Sequence, residues 1–502
     1  MQRPLPDNDR LPHALYRSAQ VREFDRIAIE EYAIPGRILM ERAGEAAFAR
    51  LRANWPVANA ITLLCGIGNN GGDGYVVARL AQQAGMAPRV LQLGDESRLA
   101  GDALACARAY REAGGDVQPY RELPAGIDVI VDGVFGTGLE REVSGAWRTA
   151  IEAVNRHPAP VLALDIPSGV HADSGAVLGT AVRAEVTVSF IALKQGLFTG
   201  QGPSFCGRVH FAGLEVPARL YASQIASSRR IDWRQQADFL APRARSAHKG
   251  DFGHLLVVGG APGYAGAARL AAEAGARSGA GLVSLATHPA HAATLNLGRP
   301  ELMVHAVASP RDLNSLLRKA DVVAIGPGLG QGQWSRSLYA RVLDTALPLV
   351  VDADALNLLA AEPGARENWI LTPHPGEAAR LLAGSSAGVE RDRFAALLDL
   401  QRNYGGVVVL KGAGTLIAGP DARPPALCSE GNPGMASGGM GDLLTGILGA
   451  LLAQGLELSE AAEMGVALHA AAADRAAREG ERGLLASDLM PWIRKLVNGH
   501  VD

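Results

Sequence analysis

The stretch 431–442, GNPGMASGGMGD, constrains this chain more than any other feature of its sequence. It runs into LLTGILGALLAQG, where apolar residues recur at helical spacing, at Leu443, Leu444, Ile447, Leu448, Leu451 and Leu452. The pattern predicts glycines and Asp442 just before a buried helix, a place where backbone N–H groups bind phosphate. Because an aspartate repels phosphate, we expect Asp442 to be a base that deprotonates a hydroxyl beside a bound nucleotide. Phosphoryl transfer to an alcohol is therefore the first hypothesis.

The length of 502 residues predicts at least two domains, since single hydrophobic cores rarely exceed about 250–300 residues. A hydrophobic content of 48% and a charged content of 20% are typical of soluble globular proteins. The cysteines are far apart in the sequence and suggest neither a zinc site nor a disulfide framework: Cys65, Cys106, Cys206 and Cys428.

The formal net charge of −3 and the lack of a cluster of Lys and Arg argue against a nucleic-acid partner. The first residues lack an apolar core of signal-peptide length, and no apolar run of about 18 residues follows. We therefore expect small-molecule partners, no membrane association and a cytoplasmic location. The sequence leaves a homo-oligomer open.

Short β-branched runs alternate with helical patterns along the chain, which predicts α/β domains with mainly parallel sheets. One series of strands is expected at 61–68, 89–94, 128–136, 161–169, 186–194 and 209–217. A second is expected at 254–260, 281–287, 321–330, 348–356, 369–377 and 406–414, with helices at 265–279 and 458–478. The polar stretch near 222–244 lacks strand patterning. We therefore predict one domain over 1–222, a linker over 223–244 and a second domain over 245–502.

Several motifs of the second half lie at predicted strand ends, where ligands of such sheets bind. GPGLG (326–330) lets a ligand lie against backbone, Asp352 and Asp354 could hold a metal or its waters, and Lys411 could bind nucleotide phosphates. His374 lies between two prolines. Each also has a purely structural interpretation: a tight turn, helix caps, a solvated lysine and a turn histidine.

The second half has no P-loop, but its GMGD resembles the GxGD loop of the ribokinase-like superfamily. KGDFG (249–253), the run 265–283, GPGLG, TPHPGE and SGGMGDLLTG together resemble the ADP-dependent NAD(P)H-hydrate dehydratases over 245–495. The resemblance implies a three-layer α/β/α fold, ADP as phosphoryl donor, and Mg²⁺. By position it assigns the hydrated dinucleotide to Ala267, Gly328, His374 and the catalytic Asp442, and the nucleotide to Lys411, Gly412, Ala413, Gly414, Thr415 and Gly441.

The reaction implied by this resemblance phosphorylates the C6 hydroxyl of hydrated NADH or NADPH and then expels phosphate. Hydroxide leaves poorly and phosphate leaves well, so phosphorylation is the means of elimination. The negative charge that develops on the phosphate oxygens must be stabilised by backbone hydrogen-bond donors and usually by magnesium.

The first half carries GIGNNGGDG (66–74), which satisfies the GxGxxG pattern of Rossmann dehydrogenases. The motif also contains Asn69, Asn70 and Asp73, whose side chains are not needed to bind a pyrophosphate. Asn70, Asp132 and Ser168 lie at or just after predicted strands and offer hard oxygens, which suits an oxygen-ligated cation. The structural alternative is a set of Asx and Ser turns.

These motifs resemble the NAD(P)H-hydrate epimerases over 15–218, which implies a Rossmann-like three-layer domain that interconverts the R and S hydrates at C6. The resemblance assigns K⁺ to Asn70, Asp132 and Ser168, and it suggests Asp165 as the residue that handles the proton. Substrate is assigned to Asn69, Asn70, Gly71, Gly72, Asp73, Gly136, Thr137, Gly138, Leu139, Glu140, Arg141, Glu142 and Asp165.

Both resemblances together indicate the bifunctional NAD(P)H-hydrate repair family, whose substrates would be hydrated NADH, hydrated NADPH and ADP. One alternative is a ribokinase-like vitamin or sugar kinase fused to a Rossmann oxidoreductase. Another makes the first half a ligand-sensing or protein-binding module without catalysis. The alternatives predict a stable phosphorylated product, hydride transfer or no epimerisation, whereas the favoured interpretation predicts free phosphate and restored reduced cofactor.

Overall fold

Two compact units make up the computed structural model of this chain, which describes residues 11–499. The N-terminal unit ends at Arg229 and the C-terminal unit begins at Arg230. Residues 1–10 and 500–502, which the sequence assigns to the two domains, lie outside the described residues.

The polar stretch near this boundary contains regular structure that the sequence did not predict. A strand spans Ser228–Ile231 and a short helix spans Trp233–Gln236. The expectation of no strand is wrong because Arg230, which is 1% exposed, occupies a core position where strand patterns normally place an apolar residue. Its guanidinium bonds to the Ser429 hydroxyl at 3.1 and 3.2 Å.

The N-terminal unit alternates strands with helices, as its periodicity predicts. Its strands are β1 (Ala14–Leu15), β2 (Ala60–Cys65), β3 (Ala87–Gln92), β4 (Val117–Pro119), β5 (Val129–Gly133), β6 (Val161–Leu164), β7 (Val186–Phe190) and β8 (Arg208–Ala212), followed by β9 (Ser228–Ile231) at the boundary. Its helices are α1 (Ser18–Glu30), α2 (Gly36–Asn54), α3 (Asn69–Gln83), α4 (Gly101–Glu112), α5 (Gly145–Arg156) and α6 (Pro203–Cys206).

The sheet of the N-terminal unit is parallel throughout, in the order β4-β3-β2-β5-β6-β7-β8. Alternate residues of the central strands β2, β5 and β6 enter two separate apolar cores: Leu63 and Val131 pack in one, Leu64 and Ile130 in the other. The sheet is therefore buried on both faces, as a parallel sheet covered by helices requires.

The C-terminal unit follows the same alternation. Its strands are β10 (His254–Val258), β11 (Leu282–Thr287), β12 (Met303–Ala306), β13 (Val322–Ile325), β14 (Leu349–Val351), β15 (Trp369–Leu371), β16 (Val407–Leu410), β17 (Thr415–Ala418) and β18 (Ala426–Cys428). Its helices are α7 (Trp233–Gln236), α8 (Ala265–Arg277), α9 (Pro289–Ala292), α10 (Pro310–Leu317), α11 (Gln333–Leu343), α12 (Ala353–Ala361), α13 (Pro375–Leu381), α14 (Ser386–Arg391), α15 (Arg393–Tyr404), α16 (Met440–Ala453), α17 (Leu458–Ala476) and α18 (Met490–Leu496).

These nine strands lie in the order β18-β17-β16-β15-β14-β13-β10-β11-β12. The strands from β10 to β16 are parallel, and only β17 and β18 run antiparallel to their neighbours. The predicted α/β class with mainly parallel sheets is confirmed in both units. No helix among the described residues is both long and apolar enough to cross a membrane.

Helix α16 is the buried helix that the leucine pattern predicts, with Leu443, Ile447 and Leu451 fully buried. The expectation that Asp442 precedes the helix is wrong, because the helix starts at Met440 and Asp442 lies in its first turn. Gly439, at φ +92°, provides the left-handed turn from which the helix starts.

Gly446 allows α16 to pack closely against α8. A Cβ at Gly446 would overlap the Ala271 carbonyl oxygen and lie 3.0 Å from the Gly275 nitrogen. We expect Gly446→Ala to destabilise the C-terminal unit by about 1–3 kcal/mol, despite the better helix propensity of alanine. Thermal unfolding measures this, with Gly364→Ala as the control because nothing lies within 4 Å of a Cβ there. Equal melting of both variants and the parent would contradict the packing argument.

Candidate active sites

The candidate site of the N-terminal unit is a cavity of about 680 Å³ at the carboxyl edge of its sheet. From β2 the chain adds β3 and β4 on one side of the sheet, and β5 then begins the other side. The strand order therefore changes direction between β2 and β5. Ligands of parallel α/β sheets bind at such a point. Helix α3 begins there after β2, and the loop after β5 provides the opposite wall.

Most of the residues that the sequence assigns to this substrate line the cavity: Asn69, Asn70, Asp73, Gly136, Thr137, Gly138, Leu139, Glu140, Arg141 and Asp165. Asn69–Asp73 lie in the first turns of α3. Gly71 and Gly72 are not among the lining residues, and a Cβ at these positions would meet the Gly66 backbone and the Met40 side chain. Glu142 is exposed and also lies outside the lining.

Asp165 directly follows β6 and forms an ion pair with Lys194, whose side chain is fully buried. Its backbone adopts φ +64°, an uncommon conformation for a residue other than glycine. The Lys194 ammonium also donates to the Ser189 hydroxyl at 3.1 Å and to the Phe190 carbonyl at 3.0 Å. The sequence analysis did not assign Lys194 to the site, although its position just after β7 was a signal.

Two more carboxyl groups line the same cavity and interact with this pair. Burial raises the pKa of Asp25, on α1, to about 6, with the Asp165 charge adding to the rise and Lys194 opposing it. Burial also raises the pKa of Asp73 well above its usual range. Asp25 is a residue that sequence reasoning missed, because nothing in the helical pattern of α1 distinguishes it from a surface aspartate.

The three predicted cation ligands lie together beside the loop after β5. The Ser168 hydroxyl donates to Asp132 at 2.6 Å and accepts from the Phe135 N–H at 2.8 Å, while the Asn70 amide donates to the Phe135 carbonyl at 3.0 Å. The Asn70 Oδ1 atom is buried without a hydrogen-bond partner. Burial raises the pKa of Asp132 to about 6, although the Ser168 and Val134 donors oppose the rise.

In the C-terminal unit the strand order changes direction between β10 and β13, and both strands end in glycines. The Gly260 N–H donates to the Pro327 carbonyl at 3.1 Å, and the Ala261 N–H donates to the Gly328 carbonyl at 2.7 Å. Gly328 has φ +58°, and its Cβ position lies 3.2 Å from the Ala267 Cβ. Gly328 and Ala267, two predicted contacts of the hydrate, are therefore adjacent.

An ion pair joins the ends of two strands at this edge. The Lys411 ammonium, directly after β16, lies 2.7 Å from Asp352, directly after β14. The Thr445 hydroxyl of α16 donates to the other Asp352 oxygen at 2.7 Å. Burial alone would raise the pKa of Asp352. The Lys411 charge and the hydrogen-bond donors to Asp352 instead hold this pKa below its ordinary value. The charge of Asp352 is therefore balanced by the protein itself.

Asp442 borders this pair, and no salt bridge to it is found among residues 11–499. Burial raises its pKa to about 7, the nearby Asp352 and Asp354 charges add to the rise, and Lys411 opposes it. Gly441 is close as well, because its Cβ position lies 3.3 Å from the Lys411 Nζ. Asp354 accepts from the Gly330 N–H at 2.8 Å, so it stabilises the GPGLG turn.

His374 has the structural role that its setting between prolines suggests, since its Nδ1 accepts from the Gly376 N–H at 3.0 Å and caps α13. Its ring remains about half exposed. Glu377, within the same TPHPGE motif, is buried 3.9 Å from the Lys411 ammonium. Burial raises the pKa of Glu377 to about 7, although Lys411 opposes the rise. Sequence reasoning quoted the motif but missed this glutamate.

The predicted nucleotide segment connects β16 to β17. Gly412 has φ +138°, and its Cβ position would lie 2.7 Å from the Arg393 guanidinium. The Thr415 hydroxyl donates to the Gly412 carbonyl at 3.0 Å. Ala413 and Gly414 complete this turn. Among the described residues no three His, Cys, Asp or Glu side chains are grouped so as to hold a metal ion.

Two family models match the chain, one in each unit. The model described as NAD(P)H-hydrate dehydratase matches residues 255–495, and the model described as YjeF-related protein N-terminus matches residues 36–196.

Relatives align over nearly the whole chain. The chain is 51% identical to the bifunctional NAD(P)H-hydrate repair enzyme Nnr of Coxiella burnetii, over 96% of this chain and 99% of the relative. It is 45% identical to that of Escherichia coli (98% and 95% covered) and 38% identical to the bifunctional NAD(P)H-hydrate repair enzyme of Leishmania major (97% and 94%).

Solved structures match over about half of this chain. A ribokinase-like superfamily protein from Enterococcus faecalis aligns with a TM-score of 0.51 and 28% identity, over 55% of this chain and 98% of that protein. A hypothetical protein from Streptococcus mutans aligns with a TM-score of 0.50 and 30% identity, over 54% and 99%.

The folds and the two carboxylate-lined sites define a two-domain α/β enzyme, with one site at the sheet edge of each unit. The chain belongs to the bifunctional NAD(P)H-hydrate repair enzymes, a family that joins an epimerase domain to a dehydratase domain. The fusion of a kinase to an oxidoreductase and the non-catalytic module are therefore set aside.

Asp352 is 1% exposed, so substitutions of Lys411 and Asp352 should have strongly coupled effects on the free energy of unfolding. We expect Lys411→Met to destabilise the C-terminal unit by about 3–5 kcal/mol, since it leaves the buried Asp352 charge uncompensated. Asp352→Asn should cost less, because Glu377 still lies 3.9 Å from the Lys411 ammonium. The double variant should lose clearly less than the sum. Urea unfolding measures all three, with Lys319→Met, at an exposed lysine, as the control. Strictly additive losses would show that the two groups act independently.

Proposed function

We propose that the N-terminal unit epimerises the R and S hydrates of NADH and NADPH at C6. The C-terminal unit dehydrates the S hydrate with ADP as phosphoryl donor and gives NAD(P)H, AMP and phosphate. The observation that carries this proposal is Asp442, a partly buried carboxyl with a pKa of about 7 in the first turn of α16, beside the Lys411–Asp352 pair. A base with a pKa near the working pH is suited to take a proton from an alcohol.

In the dehydratase step, Asp442 takes the proton of the C6 hydroxyl while the hydroxyl oxygen attacks the terminal phosphorus of ADP. The backbone N–H groups at the start of α16 and in the turn after Lys411 face the charge that develops on the phosphate oxygens. Ala267, Gly328 and His374 hold the hydrate, and Lys411, Gly412, Ala413, Gly414, Thr415 and Gly441 hold the nucleotide. The ring nitrogen lone pair then assists cleavage of the C6–O bond, and phosphate leaves with the electron pair. Loss of a proton from C5 to solvent forms the C5=C6 double bond of NAD(P)H.

Magnesium fits this site only together with the nucleotide. The described residues form no metal cluster, and the Asp352 carboxylate is already engaged by Lys411 and Thr445. Mg²⁺ commonly binds through one or two carboxylates plus substrate phosphates, and Asp354 and Asp442 are the carboxylates that would face it. When bound, the ion neutralises charge on the transferred phosphoryl group.

In the epimerase step, C6 carries both a hydroxyl and the ring nitrogen, so the carbon can ionise and be attacked again from its other face. Asp165, which pairs with Lys194 and lines the cavity, takes the proton of the incoming water. The residues of α3 and of the loop after β5 surround the dinucleotide. Because hydrated cofactors arise where the cofactors are used, these substrates support a cytoplasmic location.

Potassium fits the cluster of Asn70, Asp132 and Ser168. The Asn70 Oδ1 atom is buried and accepts no hydrogen bond from the described residues, so it is available to bind a cation. Asp132 provides a nearby negative charge. Oxygen donors of this kind suit a hard cation. The bound ion would add positive charge beside the loop after β5, next to the substrate.

The whole proposal can be tested by adding the protein, ADP and magnesium to both hydrate epimers and following the return of reduced-cofactor absorbance. Complete return requires both activities, whereas a return that stops with the R epimer left means that the N-terminal unit is inactive. Asp442→Asn should slow dehydration by about 10²–10⁴-fold, because the base is lost. Asp399→Asn, at a half-exposed surface aspartate, should not change it.

The pH dependence has a defined sign, since Asp442 must be ionised to accept the proton. Dehydration should rise with pH through about 7 and become constant above it. An unaltered rate in Asp442→Asn, or dehydration that falls over this interval, would exclude Asp442 as the base.

Potassium dependence should be confined to epimerisation. Replacing K⁺ by Li⁺ should leave the R epimer unconverted while S-hydrate dehydration continues, and K⁺ should raise the melting temperature of the N-terminal unit by mass action. Asn70→Ala should abolish this thermal shift, whereas Asn59→Ala, at an exposed asparagine, should retain it. An identical K⁺ shift in Asn70→Ala would place the ion elsewhere.

A further inference from the structure

The cavity of the N-terminal unit contains more carboxyl groups than its buried lysine can balance. Asp25, Asp73 and Asp165 all line it, and Lys194 is the ammonium that interacts with all three. Lys194 is fully buried and directly bonded to Asp165. One ammonium offsets one carboxylate, so the remaining two would carry uncompensated negative charge if both were ionised.

The other charged groups along the cavity do not change this balance, because two of them are cationic and two are anionic. Arg22, Asp102, Glu140 and Arg141 also line it. Arg22 and Glu140 lie 3.9 Å apart with more than half of each side chain exposed, so solvent screens them. Protonation therefore relieves the excess charge. Burial, opposed by Lys194 and aided by Asp165, raises the pKa of Asp25 to about 6, and burial also raises that of Asp73.

Asp25 is better placed than Asp73 to exchange this proton during turnover. Asp73 is only 8% exposed and lies within α3, where solvent reaches it poorly. Asp25 is partly exposed and reaches the cavity from α1, a different element from those that carry Asp73 and Asp165. A group that donates a proton in each cycle must recover it, and access to solvent makes that recovery fast.

We propose that Asp25 is the catalytic acid of epimerisation, with Asp165 as the complementary base. The Asp25 carboxyl proton passes to the C6 hydroxyl, the C6–O bond breaks with its electron pair on oxygen, and water leaves. The ring nitrogen lone pair forms the C6=N bond of a cation. Water then attacks the other face, its electron pair forms the new C6–O bond, and its proton passes to Asp165. Proton exchange with solvent restores both carboxyl groups, and nothing is oxidised or reduced.

This proposal rests on the epimerase activity, and the second activity of the same chain provides an internal control. In the full-length protein, Asp25→Asn should slow R-to-S conversion by about 10²–10⁴-fold, because the amide cannot release a proton. Dehydration of purified S hydrate should be unchanged. Asp25→Glu should recover part of the rate. Glu23→Gln, which removes a charge from the same helix at a residue bonded to Arg26, should epimerise normally.

The pH profile separates a catalytic role from a structural one. Epimerisation requires the protonated acid, so its rate should fall as the pH rises through about 6, and Asp25→Asn should lose this limb. Parent-like epimerisation in Asp25→Asn, or a parent profile that rises through this pH, overturns the proposal. If Asp25→Asn fails to fold, the parent profile and the Asp25→Glu rate still decide it. No epimerisation in the parent would instead contradict the proposed function.

Discussion

An ion pair between a lysine and an aspartate at the carboxyl edge of a parallel sheet is the interaction on which both units depend. In the C-terminal unit the pair is Lys411 with Asp352, and in the N-terminal unit it is Lys194 with Asp165. Each aspartate follows a strand directly, and each lysine comes from the end of a nearby strand. Parallel pairing brings these ends to one edge, and the ion pair then fixes the loops that leave it.

The chemical consequence is a shortage of positive charge beside each pair. Several further carboxyl groups near each pair lie in buried positions, and burial raises their pKa. In the C-terminal unit the carboxyl groups affected are Asp442 and Glu377, and in the N-terminal unit they are Asp25 and Asp73. The same electrostatic arrangement can thus produce a base in one domain and an acid in the other.

The sequence predicted the parts of this arrangement that depend on local pattern. Strand ends, the glycines after them and residues such as Asn70, Asp132 and Ser168 are readable, because β-branched runs locate the strands and parallel pairing collects their ends. The start of α16 was misplaced by a few residues, since glycines normally interrupt helices, while Gly441 here lies inside the first turn beside Lys411.

Other residues could not be found because their importance is created by burial and long-range proximity. Asp25 lies on an amphipathic helix far along the chain from Asp165, and in the sequence it resembles any surface aspartate. Lys194 and Glu377 stand at readable positions, yet only the fold shows that each is buried next to opposite charge. A pattern reports which face of an element is apolar, but it does not report which charges are brought together.

The two proposed reactions act on the same C6–O bond and solve the same difficulty in different ways. Hydroxide is a poor leaving group, so the oxygen must be made less basic before the bond can break. The N-terminal site would do so with a proton, which makes the oxygen leave as water and lets water return to either face. The C-terminal site would do so with a phosphoryl group. The oxygen then leaves as phosphate, and the double bond is restored. A proton suits a reversible exchange, whereas the cleavage of ADP makes the repair irreversible. This difference explains why the C6 oxygen is protonated by an acid at the first site and deprotonated by a base at the second.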